Sequence, residues 1–101
     1  MNAVTAVGLD VGGTKIAGGL VARETGEVLL RRVIPTHPER GGRTVLDDCL
    51  ALAGELYAAG KAKGWSMQGI GVGVAELVDL VGNVTSGQTI DWRGLPVQES
   101  F

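Results

Sequence analysis

The sequence predicts a single α/β domain over residues 1–101, made of an antiparallel three-stranded meander, one helix and a fourth strand that returns parallel to its neighbour. Three observations predict it. Three β-branched and apolar runs, at 4–9, 16–21 and 28–34, are separated only by short turns, and strands joined so tightly must pair antiparallel. At 44–63 the apolar period changes from two to steps of three and four, which is one face of an α-helix. The run Gly-Ile-Gly-Val-Gly-Val at 69–74 is then short and apolar on both faces, the pattern of a central strand parallel to its neighbour.

The local chemistry supports each element in order. The first turn carries Gly12-Gly13 and the second Thr25-Gly26, where glycine accepts a positive φ. Pro35 and Pro38 close the third strand because neither donates to a ladder. On the helix, Leu46, Cys49, Leu50, Ala53, Leu56, Tyr57 and Gly60 form the apolar face. Thr44 is its predicted N-cap, Asp47 and Asp48 suit the positive end, and Lys61 and Lys63 suit the negative end. Gly64 is placed to stop it in the left-handed region. Beyond residue 75 the chain is less regular: a tight turn is expected around Gly82-Asn83, Trp92 is the largest apolar anchor, and 96–101 opens a helical pattern.

Composition narrows the function classes. A net charge of −2 with no basic cluster gives no nucleic-acid footprint. No apolar run approaches the ~18 residues of a membrane span, and no basic segment precedes the first apolar run. The lone Cys49 excludes an internal disulfide and reads as a small buried hydrophobe. A cytoplasmic protein without a nucleic-acid or membrane partner is expected.

The stretch Val-Gly-Leu-Asp-Val-Gly-Gly-Thr-Lys at 7–15 carries the chemistry. It has the glycine interval of a Walker A loop, but Thr14 and Lys15 stand in the wrong order and a strand follows where a helix should. The dinucleotide pattern fails as well, since Val74 occupies the third glycine position of 69–74. A glycine turn between antiparallel strands still holds an anion on successive backbone amides. Gly12 and Gly13 allow close approach, Thr14 adds a hydroxyl and Lys15 a positive charge. Asp10 would repel a bare phosphate and makes sense beside Mg²⁺. On the residues alone, an ordinary hairpin with Asp10 bonding its own backbone remains open.

In this order and setting, Asp10-x-Gly12-Gly13-Thr14-Lys15 resembles the phosphate motif of the actin/hexokinase/Hsp70 superfamily, with its RNase H-like fold. More narrowly, residues 8–21 resemble the opening of the ROK family (repressor, open reading frame, kinase). Gly-Glu-Val-Leu-Leu-Arg-Arg-Val-Ile-Pro-Thr at 26–36, Gly-Ile-Gly-Val-Gly-Val-Ala-Glu-Leu-Val-Asp at 69–79 and the Gly82-to-Val97 segment continue the likeness. The resemblance implies part of the N-terminal lobe of a sugar kinase that transfers the ATP γ-phosphoryl to a hexose or amino-hexose. It implies Asp10 on the Mg²⁺ ion, directly or through water, and Gly12, Gly13, Thr14 and Lys15 on the phosphates. It also implies the segments around Ala75-Glu76 and Thr85-Ser86 beside the sugar, and a homodimeric parent.

The chain departs from the family at Ala75-Glu76, where Pro-Gly is usual, which leaves the sugar open. The catalytic aspartate, the His/Cys zinc cluster and the C-terminal lobe would all lie past Phe101, so this chain by itself is expected to lack turnover. The rivals are a ROK-type sugar-responsive transcriptional regulator and a non-catalytic sugar- or nucleotide-binding module. His37 reads as a surface histidine without a partner, Asp79 and Asp91 as local backbone caps, and Trp92 as packing rather than a sugar platform.

Overall fold

The computed structural model describes residues 3–74, 76 and 78–101; Ala75, one of the positions placed beside the sugar, lies outside them. The meander forms as expected: β1 (Val4–Val11), β2 (Lys15–Ala22) and β3 (Val28–Pro35) pair antiparallel in sequence. Each strand outlasts its apolar run by one or two residues, because ladder pairing carries Asp10, Val11 and Lys15 into the sheet. Gly26 takes φ 72° at the second turn, where its amide donates to Ala22 O and the Glu27 amide to Thr25 Oγ1.

A 3-10 turn, Pro38–Arg40, leads into α1 (Gly42–Ala62). The helix begins two residues before the expected N-cap. Gly41, not Thr44, is the cap residue, and no side chain caps the first turn. Asp47 and Asp48 therefore fall in the second turn and pair instead with Arg43 and Arg40. Gly64 ends the helix at φ 75°, as its position predicts. Val45, Leu46, Cys49, Leu52, Ala53, Leu56 and Gly60 are buried, so the apolar stripe is centred slightly differently from the expected face, and Tyr57 at its rim is 45% exposed.

β4 (Ser66–Val74) runs parallel to β1, and the sheet order is β3-β2-β1-β4. The expected parallel pairing forms, but the expected central position does not. Among the described residues β4 is an edge strand, with Met67, Val72 and Val74 packed against the core and Gly69, Ile70, Gly71 and Gly73 exposed. Glycines alternating with β-branched residues read as apolar on both faces, although only one face carries side chains to bury. The rest of the chain returns to the carboxyl end of the sheet. Val78 pairs with Val84 around Gly82, whose φ is 88°, and Asp79 accepts the Val81 and Asn83 amides as the expected cap. A short α2, Val97–Ser100, follows.

The core lies between one sheet face and α1. Alternation sends Val7, Leu9 and Val11 of β1 and Ile16 and Leu20 of β2 to that side, where they meet the helix stripe. Trp92 is fully buried in the same cluster, and its Nε1–H donates to Gly42 O, tying the late loop to the start of α1. Cys49 is buried as expected, and burial, reinforced by the Asp48 carboxylate, pushes its thiol up to about 12. No helix among the described residues is long and apolar enough to cross a membrane. Leu56 is fully buried against the sheet. Leu56→Ala is expected to cost about 2–5 kcal/mol in urea unfolding, through lost transfer energy and the cavity left behind.

Candidate phosphate-binding site

The carboxyl ends of β1, β3 and β4 lie at one edge of the sheet, and the amino end of α1 starts from the same edge. In open α/β sheets that edge is where ligands bind. The first hairpin turn, residues 12–14, sits there.

The turn is built by its own backbone and by one buried threonine. The Gly12 amide donates to Lys15 O at 3.0 Å and closes the turn. Thr36, fully buried at the exit of β3, donates its hydroxyl to Gly12 O at 2.7 Å and its amide to Thr14 O at 2.9 Å. In a trans peptide the carbonyl and the following N–H point in opposite directions, so holding Gly12 O inward aims the Gly13 N–H away from Thr36. Among the described residues neither the Gly13 nor the Thr14 amide donates to a protein acceptor. Two adjacent amides thus have no protein acceptor, while the Gly12 amide is committed to the turn.

Thr36 is itself held. Its carbonyl accepts Arg40 Nη2 at 2.7 Å, and the same nitrogen reaches Asp48 Oδ2 on α1 at 2.7 Å. His37 between them is exposed, with a left-handed φ of 47°. It has a partner after all, since its Nδ1 lies 3.3 Å from Glu39 Oε1 across the 3-10 turn.

Asp10 and Lys15 share the sheet face opposite α1. Asp10 is paired with Ala17, and Lys15 lies two residues from Ala17 on the same side. Both are exposed, and a shallow hollow of about 300 Å³ beside Asp10 is floored by Gly8, Ala17 and Gly19 and bordered by Val21, Val28 and Arg31. An uncovered carboxylate beside two undonated amides suits Mg²⁺, which keeps most of its water and takes one or two protein carboxylates together with phosphate oxygens. Zinc does not fit. No group of three or more His, Cys, Asp or Glu side chains gathers among the described residues, and the only thiol is buried.

Glu76 has a definite environment. Its Oε1 accepts the Ser86 hydroxyl at 2.7 Å and the Gln88 amide at 3.1 Å, and its Oε2 accepts the Thr89 amide at 2.6 Å and the Ile90 amide at 2.9 Å. These donors, the Ser86 hydroxyl first, bring its carboxyl from 4.5 to about 2. The structure therefore joins two of the positions placed beside the sugar, Glu76 and Ser86, in one bracketed loop next to Thr85. It also brings that loop to the hairpin: a Cβ on Gly13 would come within 2.6 Å of Thr89 Cγ2. Asp91 closes the far side of the loop, accepting Arg93 Nε at 2.9 Å and the Arg93 amide at 3.3 Å, the local cap expected of it.

Thr36 and Thr89 were missed from sequence. Pro35-Thr36 was visible as a strand exit, but nothing in its composition says that a hydroxyl there turns back to a loop 24 residues earlier.

A glycine hairpin of this shape, on a β-β-β-α-β sheet with strand order 3-2-1-4, defines part of the N-terminal lobe of an actin/hexokinase-type fold. No family model matches the chain. Its similarity is to individual proteins. It is 35% identical over 96 residues to glucokinases of Streptomyces coelicolor and Streptomyces lividans, covering 92% of this chain and 27% of each relative. A ROK family glucokinase from Streptomyces griseus, solved in complex with glucose and AMPPNP, superimposes with a TM-score of 0.74 at 32% identity over 95% of this chain and 28% of that one. A ROK hexokinase from Thermus thermophilus gives 0.75 at 28% identity, over 96% and 30%. By sequence and fold together the chain is similar to the N-terminal portion of ROK-family glucokinases and hexokinases, and it spans under a third of the length of the relatives it matches.

Two outcomes check this geometry. Thr36→Val keeps the shape but removes the donor to Gly12 O; it should lower stability by about 1 kcal/mol and speed hydrogen exchange in the hairpin, and Thr36→Ser should restore both. For Glu76 the folded-state pKa lies below the unfolded one, so its ordering contribution is complete above pH 4.5 and is lost as pH falls through about 2. Amide shifts of Gln88, Thr89 and Ile90 followed by NMR should accordingly stay flat from pH 7 to 5 and move together toward pH 2.

Proposed function

We propose that the protein to which this chain belongs phosphorylates a hexose or amino-hexose with ATP, and that residues 10–15 hold the nucleotide's terminal phosphates. The observation that carries this reading is the pair of undonated amides, Gly13 and Thr14, in a turn whose flanking carbonyls, Gly12 O and Thr14 O, are both held by Thr36. Lys15 adds positive charge on the same sheet face as Asp10. Asp10 takes part in placing Mg²⁺, which supplies charge neutralisation for the triphosphate when bound. In phosphoryl transfer, positioning and neutralisation account for most of what a protein contributes, and an amide cradle with one carboxylate beside it is suited to both.

Thr85 and Ser86 border the sugar, and Glu76 supports them through its bond with the Ser86 hydroxyl. The glucose and AMPPNP complex of the Streptomyces griseus relative supports a sugar and a nucleotide as the two small-molecule partners. The relatives named above are glucokinases or hexokinases, which favours the kinase over the regulator. A cytoplasmic setting, where ATP and Mg²⁺ are abundant, accords with this chemistry.

Calorimetric titration of the chain with Mg·AMPPNP tests the loop. Asp10→Ala should weaken binding about tenfold or more, equivalent to about 1.4 kcal/mol, and EDTA should bring the wild type down to the variant's level. Equal affinity in both proteins would remove Asp10 from the metal.

A further inference from the structure

The Glu76 carboxylate is where this chain departs from the pattern it otherwise resembles, and its surroundings say what it does. Four donors converge on it, three of them the consecutive amides of Gln88, Thr89 and Ile90. Successive amides of that kind ordinarily form an anion-binding concavity; here the anion is part of the chain. Gathered in this way, residues 86–90 present one methyl group, Thr89 Cγ2, to the phosphate hairpin, standing where a side chain on Gly13 would begin. Gly13 owns one of the two undonated amides. Thr36 holds the hairpin from the core side through Gly12 O, and Thr89 meets it at Gly13.

We propose that Glu76 is a positioning residue for the phosphate hairpin: its carboxylate shapes residues 86–90 so that Thr89 buttresses Gly13 and holds the Gly13–Thr14 amides in their outward setting. The consequence for nucleotide affinity rests on the function proposed above, whereas the mechanical coupling between the two loops does not. Glu76 touches no phosphate in this account. It acts through Thr89, and the same loop carries Ser86, so one carboxylate links the phosphate side of the site to the sugar side.

The two links are separated by variants of different reach. Glu76→Gln replaces one acceptor oxygen with an amide group and leaves two of the four donors without a partner. Thr89→Ser keeps the amide bonded to Glu76 but removes the methyl that meets Gly13, whereas Thr89→Val keeps the methyl. Amide shifts and hydrogen exchange are measured on the chain by NMR without nucleotide. For Glu76→Gln, exchange at Gln88, Thr89 and Ile90 should quicken about tenfold or more, the size expected on losing a charge-assisted bond, and the Gly13 and Thr14 amide shifts should move. For Thr89→Ser, Gly13 and Thr14 should move while Glu76's three amides keep their protection, and Thr89→Val should resemble the wild type at Gly13. Should Glu76→Gln fail to fold, the threonine pair decides. Wild-type shifts at Gly13 and Thr14 in the Thr89→Ser protein overturn the coupling. Mg·AMPPNP titrated into the same samples tests the reading beneath it separately: a wild-type chain that binds no nucleotide defeats the phosphate assignment and leaves the loop coupling to be judged on the shifts alone.

Discussion

The site depends on the bond from the Thr36 hydroxyl to Gly12 O. A two-glycine turn has many backbone conformations to lose, and most would point its amides into the sheet or scatter them. A buried hydroxyl must find an acceptor, since leaving it unpaired costs about 1–3 kcal/mol. Thr36 meets that demand on the carbonyl whose capture turns the next N–H outward. Its own amide takes Thr14 O, so both carbonyls flanking the exposed stretch are held by one residue. That residue is braced in turn through Arg40 to Asp48 on α1. The core therefore sets the hairpin, and the hairpin does not rely on a ligand for its shape.

The wider fold explains why these parts meet. Three parallel-running strands, β1, β3 and β4, end at the same edge, and α1 begins there. Trp92 fixes the late loop to the first residue of α1 through Gly42 O, and Glu76 fixes the rest of that loop to the end of β4. A hairpin, a strand exit, a helix start and a bracketed loop converge at one edge, each held by polar contacts. Apolar burial supplies the stability behind it: the stripe of α1 packs against Val7, Leu9, Val11, Ile16 and Leu20 in one continuous cluster.

Much of this was legible in the amino-acid order. The meander, the helix and the parallel return follow from runs and periods, and the glycines at 26 and 64 take the left-handed φ their positions predict. The hairpin stood out because glycines, a threonine, a lysine and an aspartate crowd into six residues. What escaped were features set at long range. The helix start moved because a glycine cap needs no side-chain signal, and β4 reads as central only when its glycines are counted as apolar surface. The bracketing of Glu76 was not legible because its donors lie 10 to 14 residues onward in an irregular stretch. Thr36 and Thr89 carry no local pattern at all, and only the folded chain brings their side chains to the hairpin.

The most direct test of the central claim is to titrate the isotope-labelled chain with Mg·ATP and follow every backbone amide. The account predicts that the largest shifts fall on Gly13 and Thr14, with the Gly12 amide, already donating to Lys15 O, changing far less. Shifts spread evenly over the chain, or largest on Gly12 with Gly13 and Thr14 unmoved, would contradict it.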